Sequence, residues 1–277
     1  MATVQTGIAE INGAKLYYEV AGEGQPLLLV HAGIASKSMW DGQFDVFTRH
    51  YKVVRYDMRG YGQSAPVTGD YQRHEDIRAL LDYLKIEHTI LMGCSMGGGA
   101  CMNFALEYPE RADALIMVGS GPGGFSYDEW SPSPIDEQME AAYEKGDLER
   151  VNELAMQIFV DGRGRTSDQV DPALRKKVSD MNMIALRNEG LQGKDVPLEI
   201  PAVKRVGQLA LPVLVITGDL DEEYIEKAAA FMKANIAGVH TVVMPGTAHL
   251  PNMEFPVEFN AHVQAFLDSL TETGRSA

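Results

Sequence analysis

Short, continuous apolar runs alternate along this chain with segments of helical periodicity, and this alternation limits the folds that the chain can adopt. The runs include "PLLLVHAG", "YKVVRYD", "HTILMG", "ADALIMVGS" and "LPVLVITG". Apolar runs of this length, without polar alternation, are typical of strands that are buried on both faces. Helical patterns such as "YQRHEDIRALLDYLKI" lie between most of them. The sequence therefore predicts an α/β fold with a mostly parallel central sheet flanked by helices.

The two ends of the chain have patterns of their own. "IAEINGAKLYYEVAG" divides at Asn12-Gly13, a dipeptide typical of the turn of a β-hairpin, so we expect two paired strands there. "FPVEFNAHVQAFLDSL" predicts a final helix. Its apolar stripe is expected to consist of Val257, Phe259, Val263 and Phe266.

The strand–helix alternation is interrupted between about Pro122 and about Pro201. Three helical patterns occupy this stretch, and each starts after a residue that favours a helix N-cap: Ser133, Asp147 and Asp171. We therefore expect residues 122–201 to form a helical cap, or lid, inserted into a core that is made of residues 1–121 and 202–277.

The charge of the chain argues against two classes of partner. The formal net charge is −15 at pH 7, and an acidic surface repels both nucleic acid and anionic lipid. No apolar run is long enough to span a membrane, and the N-terminus lacks the pattern of a signal peptide. Cys94 and Cys101 are expected to lie too far apart to form a disulfide. We expect a cytoplasmic protein that binds neither nucleic acid nor membranes.

Ser95 is the first candidate for chemistry. It follows an apolar run, precedes a helical pattern, and lies in "GCSMG", which has the form G-x-S-x-G. A serine in a sharp strand-to-helix turn needs small neighbours and presents its hydroxyl above the sheet edge. We expect Gly98 and Gly99 to let the helix lie close to the strands. A dinucleotide-binding loop would need glycine in place of Ser95, and a phosphate-binding loop would need a lysine that is absent here.

A nucleophilic serine needs a base, and that base needs an acid to orient it. His249 directly follows the last apolar run, in "MPGTAHLPN", so we predict that it is the base. "VLVITGDLDEEY" offers acids after the preceding strand; Asp221 is the predicted partner and Asp219 the alternative. The chain order Ser95, Asp221, His249 fits this sheet topology.

An oxyanion that forms during acyl transfer needs hydrogen-bond donors. The N–H of Met96, at the start of the helix after Ser95, is one predicted donor. The other is predicted in the loop after "PLLLVHAG", with Gly33 as the candidate.

These segments together resemble the α/β-hydrolase superfamily. The matching pieces are "LLLVHAG", "YDMRGYGQS", "GCSMGG", "VLVITGDLD" and "GTAHLPNMEFP", in the order and spacing of that family, and the resemblance extends over about residues 8 to 270. It implies that the Asp57–Ser64 loop is chiefly structural and that the helical insertion is the family's lid. The chain departs from many members at Ala32, where they have glycine. Haloalkane and epoxide hydrolases usually have aspartate at the position of Ser95, which argues against both reactions here.

The resemblance and the candidate residues favour a cofactor-free serine hydrolase without a metal, most simply a carboxylesterase for small or medium esters. An enol-lactone or carbon–carbon bond hydrolase, or a perhydrolase-like activity, is the alternative within the fold. A signalling or receptor-type homologue with slow turnover is the alternative from another class. The expected partner is a small-molecule ester or lactone, and the oligomeric state stays open.

The lid is expected to roof an apolar acyl pocket, because it is rich in large apolar side chains. The residues predicted to contact the substrate are Ile34, Phe125, Trp130, Met156 and Leu250.

Overall fold

The structure is a computed structural model that describes residues 3–127 and 133–274. Its strands are β1 (Gln5–Ile11), β2 (Ala14–Ala21), β3 (Pro26–Val30), β4 (Lys52–Tyr56), β5 (Thr89–Cys94), β6 (Ala112–Val118), β7 (Val213–Gly218) and β8 (His240–Met244). Its α-helices are α1 (Asp41–Phe47), α2 (Arg73–Tyr83), α3 (Met96–Glu107), α4 (Pro134–Glu144), α5 (Leu148–Met156), α6 (Pro172–Glu189), α7 (Glu223–Asn235), α8 (Pro251–Glu254) and α9 (Pro256–Gly274).

One mostly parallel sheet organises the fold. Its eight strands lie in the order β1-β2-β4-β3-β5-β6-β7-β8. β2 pairs antiparallel with both β1 and β4, and the pairs from β4 to β8 are parallel. Asn12 and Gly13 both have positive φ, of 46° and 73°, as the tight turn between β1 and β2 requires. The predicted fold class and the predicted hairpin are confirmed.

Strand β3 is apolar throughout because both of its faces are covered. In β3, Leu27 and Leu29 belong to one hydrophobic cluster, whereas Leu28 and Val30 belong to another on the opposite face. All four side chains are fully buried. Successive side chains of a strand point to opposite faces, so a continuous apolar run lets the strand pack against the helices on both faces of the sheet.

The chain between β6 and β7 contributes α4, α5 and α6, and no strand occurs among its described residues. Ser133 forms a capping box with Asp136, and the side chains of Asp147 and Asp171 accept hydrogen bonds from N–H groups in the first turns of α5 and α6. A π-helical turn, Gln157–Asp161, follows α5 directly. Val203 N–H donates to Gly123 O at 3.1 Å, so the two ends of this stretch meet.

The final helix buries three of the four residues of the predicted stripe. Phe259, Val263 and Phe266 lie in the core, but Val257 is 84% exposed, so its prediction was wrong. Val257 lies two residues before the buried Phe259, and this spacing of about 200° around α9 points the two side chains in nearly opposite directions. Among the helices of the described ranges, none is long and apolar enough to cross a membrane.

The same substitution at two positions of α9 tests this packing. Val263→Ala should lower the free energy of unfolding by about 2 kcal/mol, since it removes buried methyl groups and leaves a cavity. Val257→Ala should change it by less than about 0.5 kcal/mol, because the side chain is exposed. Urea denaturation of both variants checks the difference, and equal effects would contradict the register of α9.

Candidate active site

Ser95 occupies the junction between β5 and α3 in a strained conformation. Its φ is 52° and its ψ −119°, a region that costs a side-chain-bearing residue on the order of 1–3 kcal/mol. Three hydrogen bonds hold it there: Ser95 N–H donates to Val118 O at 2.8 Å, and Ser95 O accepts from Ser120 Oγ at 2.7 Å and from Gly99 N–H at 3.0 Å. The turn leaves the Ser95 side chain partly exposed at the carboxyl end of the sheet.

Only some of the glycines near Ser95 are required by packing. A Cβ at Gly97 would lie 2.4 Å from His31 O, and one at Gly98 would lie 2.6 Å from Ser120 Oγ. α3 can approach the sheet only because these positions lack side chains. Gly99 faces open space, so the expectation that it permits close packing was wrong.

The two residues that carry the predicted oxyanion donors, Gly33 and Met96, lie next to each other. A Cβ built on Gly33 would lie 3.6 Å from Met96 Sδ, so the loop after β3 borders the first residue of α3. Neither backbone N–H is used in a hydrogen bond within the described residues. Both amides are therefore available to an external acceptor.

His31 anchors the loop that carries Gly33, a role that the sequence analysis missed. Its Nε2 accepts a hydrogen bond from Met58 N–H at 2.9 Å, and its Nδ1 donates to Ala32 O at 2.8 Å. Complete burial lowers the pKa of His31 to about 4, so the ring is neutral. The available signal was its position at the end of an apolar run, similar to that of His249.

His249 and Asp221 form a buried pair. His249 Nδ1 lies 2.9 Å from Asp221 Oδ1 and 3.0 Å from Oδ2, and both residues are at most 3% exposed. Nδ1 is the donor to the carboxylate, which leaves Nε2 as the acceptor of the neutral ring. Burial opposes the imidazolium, but the charge and hydrogen bond of Asp221 outweigh it, so the pKa of His249 is raised.

Asp219 has a different contact. Its Oδ1 accepts a hydrogen bond from Gly246 N–H at 2.7 Å, on the exposed turn after β8. The structure therefore brings Asp221, and not Asp219, to His249.

Gly119 connects the serine to this pair. It follows Val118, which holds Ser95, and a Cβ on Gly119 would lie 3.2 Å from His249 Nδ1 and 3.4 Å from Asp221 Oδ2. Its φ of +50° also favours glycine. Within the described residues, Ser95 Oγ makes no hydrogen bond; in ligand-free active sites such bonds often form only when substrate binds.

A cavity of about 330 Å³ lies between α4–α6 and the carboxyl edge of the sheet. It borders the site at two points: Gly33 lines it, and Phe159 lines it while packing its ring 5.0 Å from the His249 ring. Ile34, one of the predicted substrate contacts, lines the cavity too. Phe159, which lies in the π-helical turn, was missed, because helical periodicity does not anticipate such a turn.

The structure places three other predicted substrate contacts away from this cavity. Phe125 packs against the rings of Tyr224 and Phe231, at centroid distances of 5.6 and 5.3 Å. Met156 and Leu250 are each 1% exposed within the hydrophobic core. Trp130 lies outside the described residues. The apolar content of a segment did not indicate which face of it would line a cavity.

The described part of the chain contains no group of three or more His, Cys, Asp and Glu side chains that could hold a metal ion. Its polar constellation is a strained serine, a histidine–aspartate pair and two free amide donors. These groups suit proton transfer and the stabilisation of an oxyanion.

Comparisons with known proteins place these features among hydrolases. The profile of the α/β-hydrolase fold matches residues 25–256. The chain is 31% identical to a pimeloyl-acyl-carrier-protein methyl ester esterase of Yersinia enterocolitica, over 91% of this chain and 97% of that protein. It is 26% identical to a 2-hydroxy-6-oxo-6-phenylhexa-2,4-dienoate hydrolase of Burkholderia cepacia, over 93% and 92%. The solved enol-lactonase of Burkholderia xenovorans has a TM-score of 0.77 at 22% identity, and covers 95% of this chain and 100% of its own.

The pKa of His249 provides a test that does not depend on any substrate. Titration of the imidazole by NMR should give a pKa above the ordinary value of about 6.5 in the natural protein. In Asp221→Asn the pKa should fall below about 6.5, because burial remains and the charge that opposes it is lost. Asp219→Asn is the matched control and should leave the titration unchanged; an equal shift in both variants would contradict the pairing.

Proposed function

The chain belongs to the α/β-hydrolase fold family, and from this premise we propose that it is a cofactor-free serine hydrolase that cleaves small or medium carboxylic esters. The observation that carries the proposal is the buried His249–Asp221 pair beside the strained turn of Ser95. Strain at a residue that tolerates it poorly indicates a functional demand on that position. The chain's likeness to an esterase supports the choice of substrate class.

In this mechanism, Ser95 Oγ attacks the carbonyl carbon of the ester while His249 Nε2 takes its proton. Asp221 holds the ring in the required tautomer and stabilises the imidazolium that forms. The N–H groups of Met96 and Gly33 hold the developing oxyanion, and each such donor is worth about 3 kcal/mol of transition-state stabilisation. His249 then protonates the leaving alcohol, and a water activated by the same base releases the acid from Ser95.

We propose that residues 122–201 act as the cap and that the 330 Å³ cavity beneath it takes the acyl group. The hydrogen bond between Val203 and Gly123, at the ends of this stretch, supports these boundaries. Ile34, Val151 and Phe159 offer apolar contact in this cavity. The cavity is less apolar than the sequence predicted, because Arg73, Glu189 and Asp195 line it too. A covered cavity excludes water from the acyl-enzyme until the step in which water hydrolyses it.

Carbon–carbon bond hydrolysis is the second candidate, favoured by the likeness to the dienoate hydrolase of B. cepacia. Lactones are further substrates within the same chemistry. Parallel assays of p-nitrophenyl esters, lactones and vinylogous diketones separate these classes by kcat/KM.

We also propose a cytoplasmic location, which the two free, buried cysteines support.

The nucleophile is tested by covalent labelling. A fluorophosphonate should modify Ser95, as mapped by mass spectrometry, and Ser95→Ala should lose on the order of 10⁴- to 10⁶-fold in kcat. Ser120→Ala is a useful control: its hydroxyl supports the turn but is not the predicted nucleophile, so labelling of Ser95 should persist. Labelling at another residue, or full turnover by Ser95→Ala, would refute the assignment.

The acyl cavity is tested with two substitutions on α5. Val151→Ala enlarges the cavity and should shift the preferred acyl chain towards greater length, with about a fourfold gain in kcat/KM for each methylene newly buried. Met156→Ala on the same helix should lower the melting temperature without changing chain-length preference, since Met156 lies in the core. If Met156→Ala changes the preferred acyl chain length and Val151→Ala does not, the acyl group does not bind in this cavity.

A further inference from the structure

The segment formed by residues 157–165 lies across both loops that carry the His249–Asp221 pair. Arg163 N–H donates to Leu220 O at 2.7 Å, next to Asp221. His249 N–H donates to Phe159 O at 3.3 Å. The segment thus contacts the aspartate loop and the histidine loop separately.

A close approach of backbones makes this contact specific. Gly162 has a φ of 72°, and a Cβ there would lie 2.6 Å from Ala248 Cβ and 2.7 Å from Leu220 O. Any side chain at this position would push the segment away from both loops.

Arg165 joins the segment to the histidine loop through one guanidinium group. Its Nε donates to Asp161 O at 2.6 Å and its Nη2 to Val160 O at 2.9 Å, which satisfies carbonyls at the end of the π-helical turn. Its Nη1 donates to Gly246 O at 3.1 Å and to Glu254 Oε2 at 2.8 Å.

Glu254 extends this connection to the residue before His249. Its other oxygen, Oε1, accepts a hydrogen bond from Ala248 N–H at 2.6 Å. The Arg165 and Glu254 side chains are 16% and 7% exposed, so the ion pair is well shielded from water. A shielded guanidinium–carboxylate pair with these further hydrogen bonds fixes geometry more firmly than a surface pair does.

We propose that Arg165 and Glu254 are positioning residues that hold His249 in line with Asp221 and hold Phe159 against the His249 ring. This inference rests on the proposed function for its catalytic consequence. Neither Arg165 nor Glu254 lines the proposed acyl cavity. Phe159 lines the acyl cavity and also packs on the His249 ring. The Arg165 guanidinium therefore couples the wall of the cavity to the orientation of the base.

The test uses Arg165→Gln, Arg165→Lys and Glu254→Gln in the full chain, with Arg205→Gln as the matched control. Arg205 is 19% exposed, pairs with Glu107 and donates to Leu106 O at 3.0 Å, so it makes similar bonds at the C-terminal end of α3. Arg165→Gln and Glu254→Gln should lower kcat by about 10- to 100-fold with little change in KM, and Arg165→Lys should recover part of the loss. Arg205→Gln should leave kcat within about twofold.

A second readout separates positioning from simple destabilisation. If the His249–Asp221 contact loosens, the pKa of His249 falls, and the acidic limb of the pH profile of kcat/KM moves to lower pH. Asp221 and Glu222 are the charged groups that raise the pKa of His249, and none of the variants alters them. A smaller fraction of folded protein would lower kcat/KM by the same factor at every pH and would leave the acidic limb at the same pH. Unchanged kcat, or a loss of kcat with an unmoved limb, would overturn the proposal.

NMR titration of His249 makes the same measurement without turnover. A lowered pKa in Arg165→Gln supports the positioning role even if no ester is hydrolysed, and an unchanged pKa overturns it. Absence of fluorophosphonate labelling in the natural protein would instead refute the proposed function. The two failures are therefore distinguishable, and Arg165→Lys and Glu254→Gln serve if Arg165→Gln does not fold.

Discussion

The positive φ of Ser95 is the constraint on which the site depends. A serine does not adopt this conformation unless its surroundings enforce it. Here Val118, the last residue of β6, and Ser120, two residues beyond it, hold the serine by hydrogen bonds. The turn requires α3 to start directly above the sheet, which in turn requires glycine at position 97 beneath His31 O. The same strand continues into Gly119, which packs on His249 and Asp221. One strand end thus positions the serine and borders the base.

Most of the sheet could be predicted from the sequence because its signal is local. A strand buried on both faces is mostly apolar, and the runs that become β3 to β7 have this composition, with few polar residues such as Arg55 and Asp113, so they can be identified without reference to distant residues. The sites that follow strand ends were identified for the same reason. Ser95, Asp221 and His249 come after separate strands, and parallel strands end at one edge of the sheet. The structure gathers Asp221 and His249 as expected; the catalytic roles of all three stay predictions until they are tested.

The features that the sequence did not reveal depend on contacts between distant segments. Met156 and Val151 lie on the same helix with similar apolar character, and only the packing of α5 decides which of them faces the cavity. Val257 lies two residues before Phe259, which places it on the opposite face of α9 from Phe259, Val263 and Phe266, so it does not belong to the buried stripe. Phe159 reaches His249 because the helix widens into a π-helical turn, and no periodic pattern predicts that. In the sequence, Arg165 and Glu254 have the character of ordinary surface residues. Their pairing depends on the contact between two segments that are distant in the chain.

The meeting of Gly123 and Val203 has a consequence for how such a protein can diversify. A segment whose ends lie one hydrogen bond apart enters and leaves the sheet at nearly the same point, so its length and sequence can change without altering the spacing of β6 and β7. Surface insertions of this kind add little chain entropy cost to folding. Exchange of the whole segment between relatives is therefore structurally simple at its ends. A graft must, however, transfer residues 157–165 together with the loops that they contact. Otherwise the transferred segment would lack the contacts that hold it against the loops of Asp221 and His249.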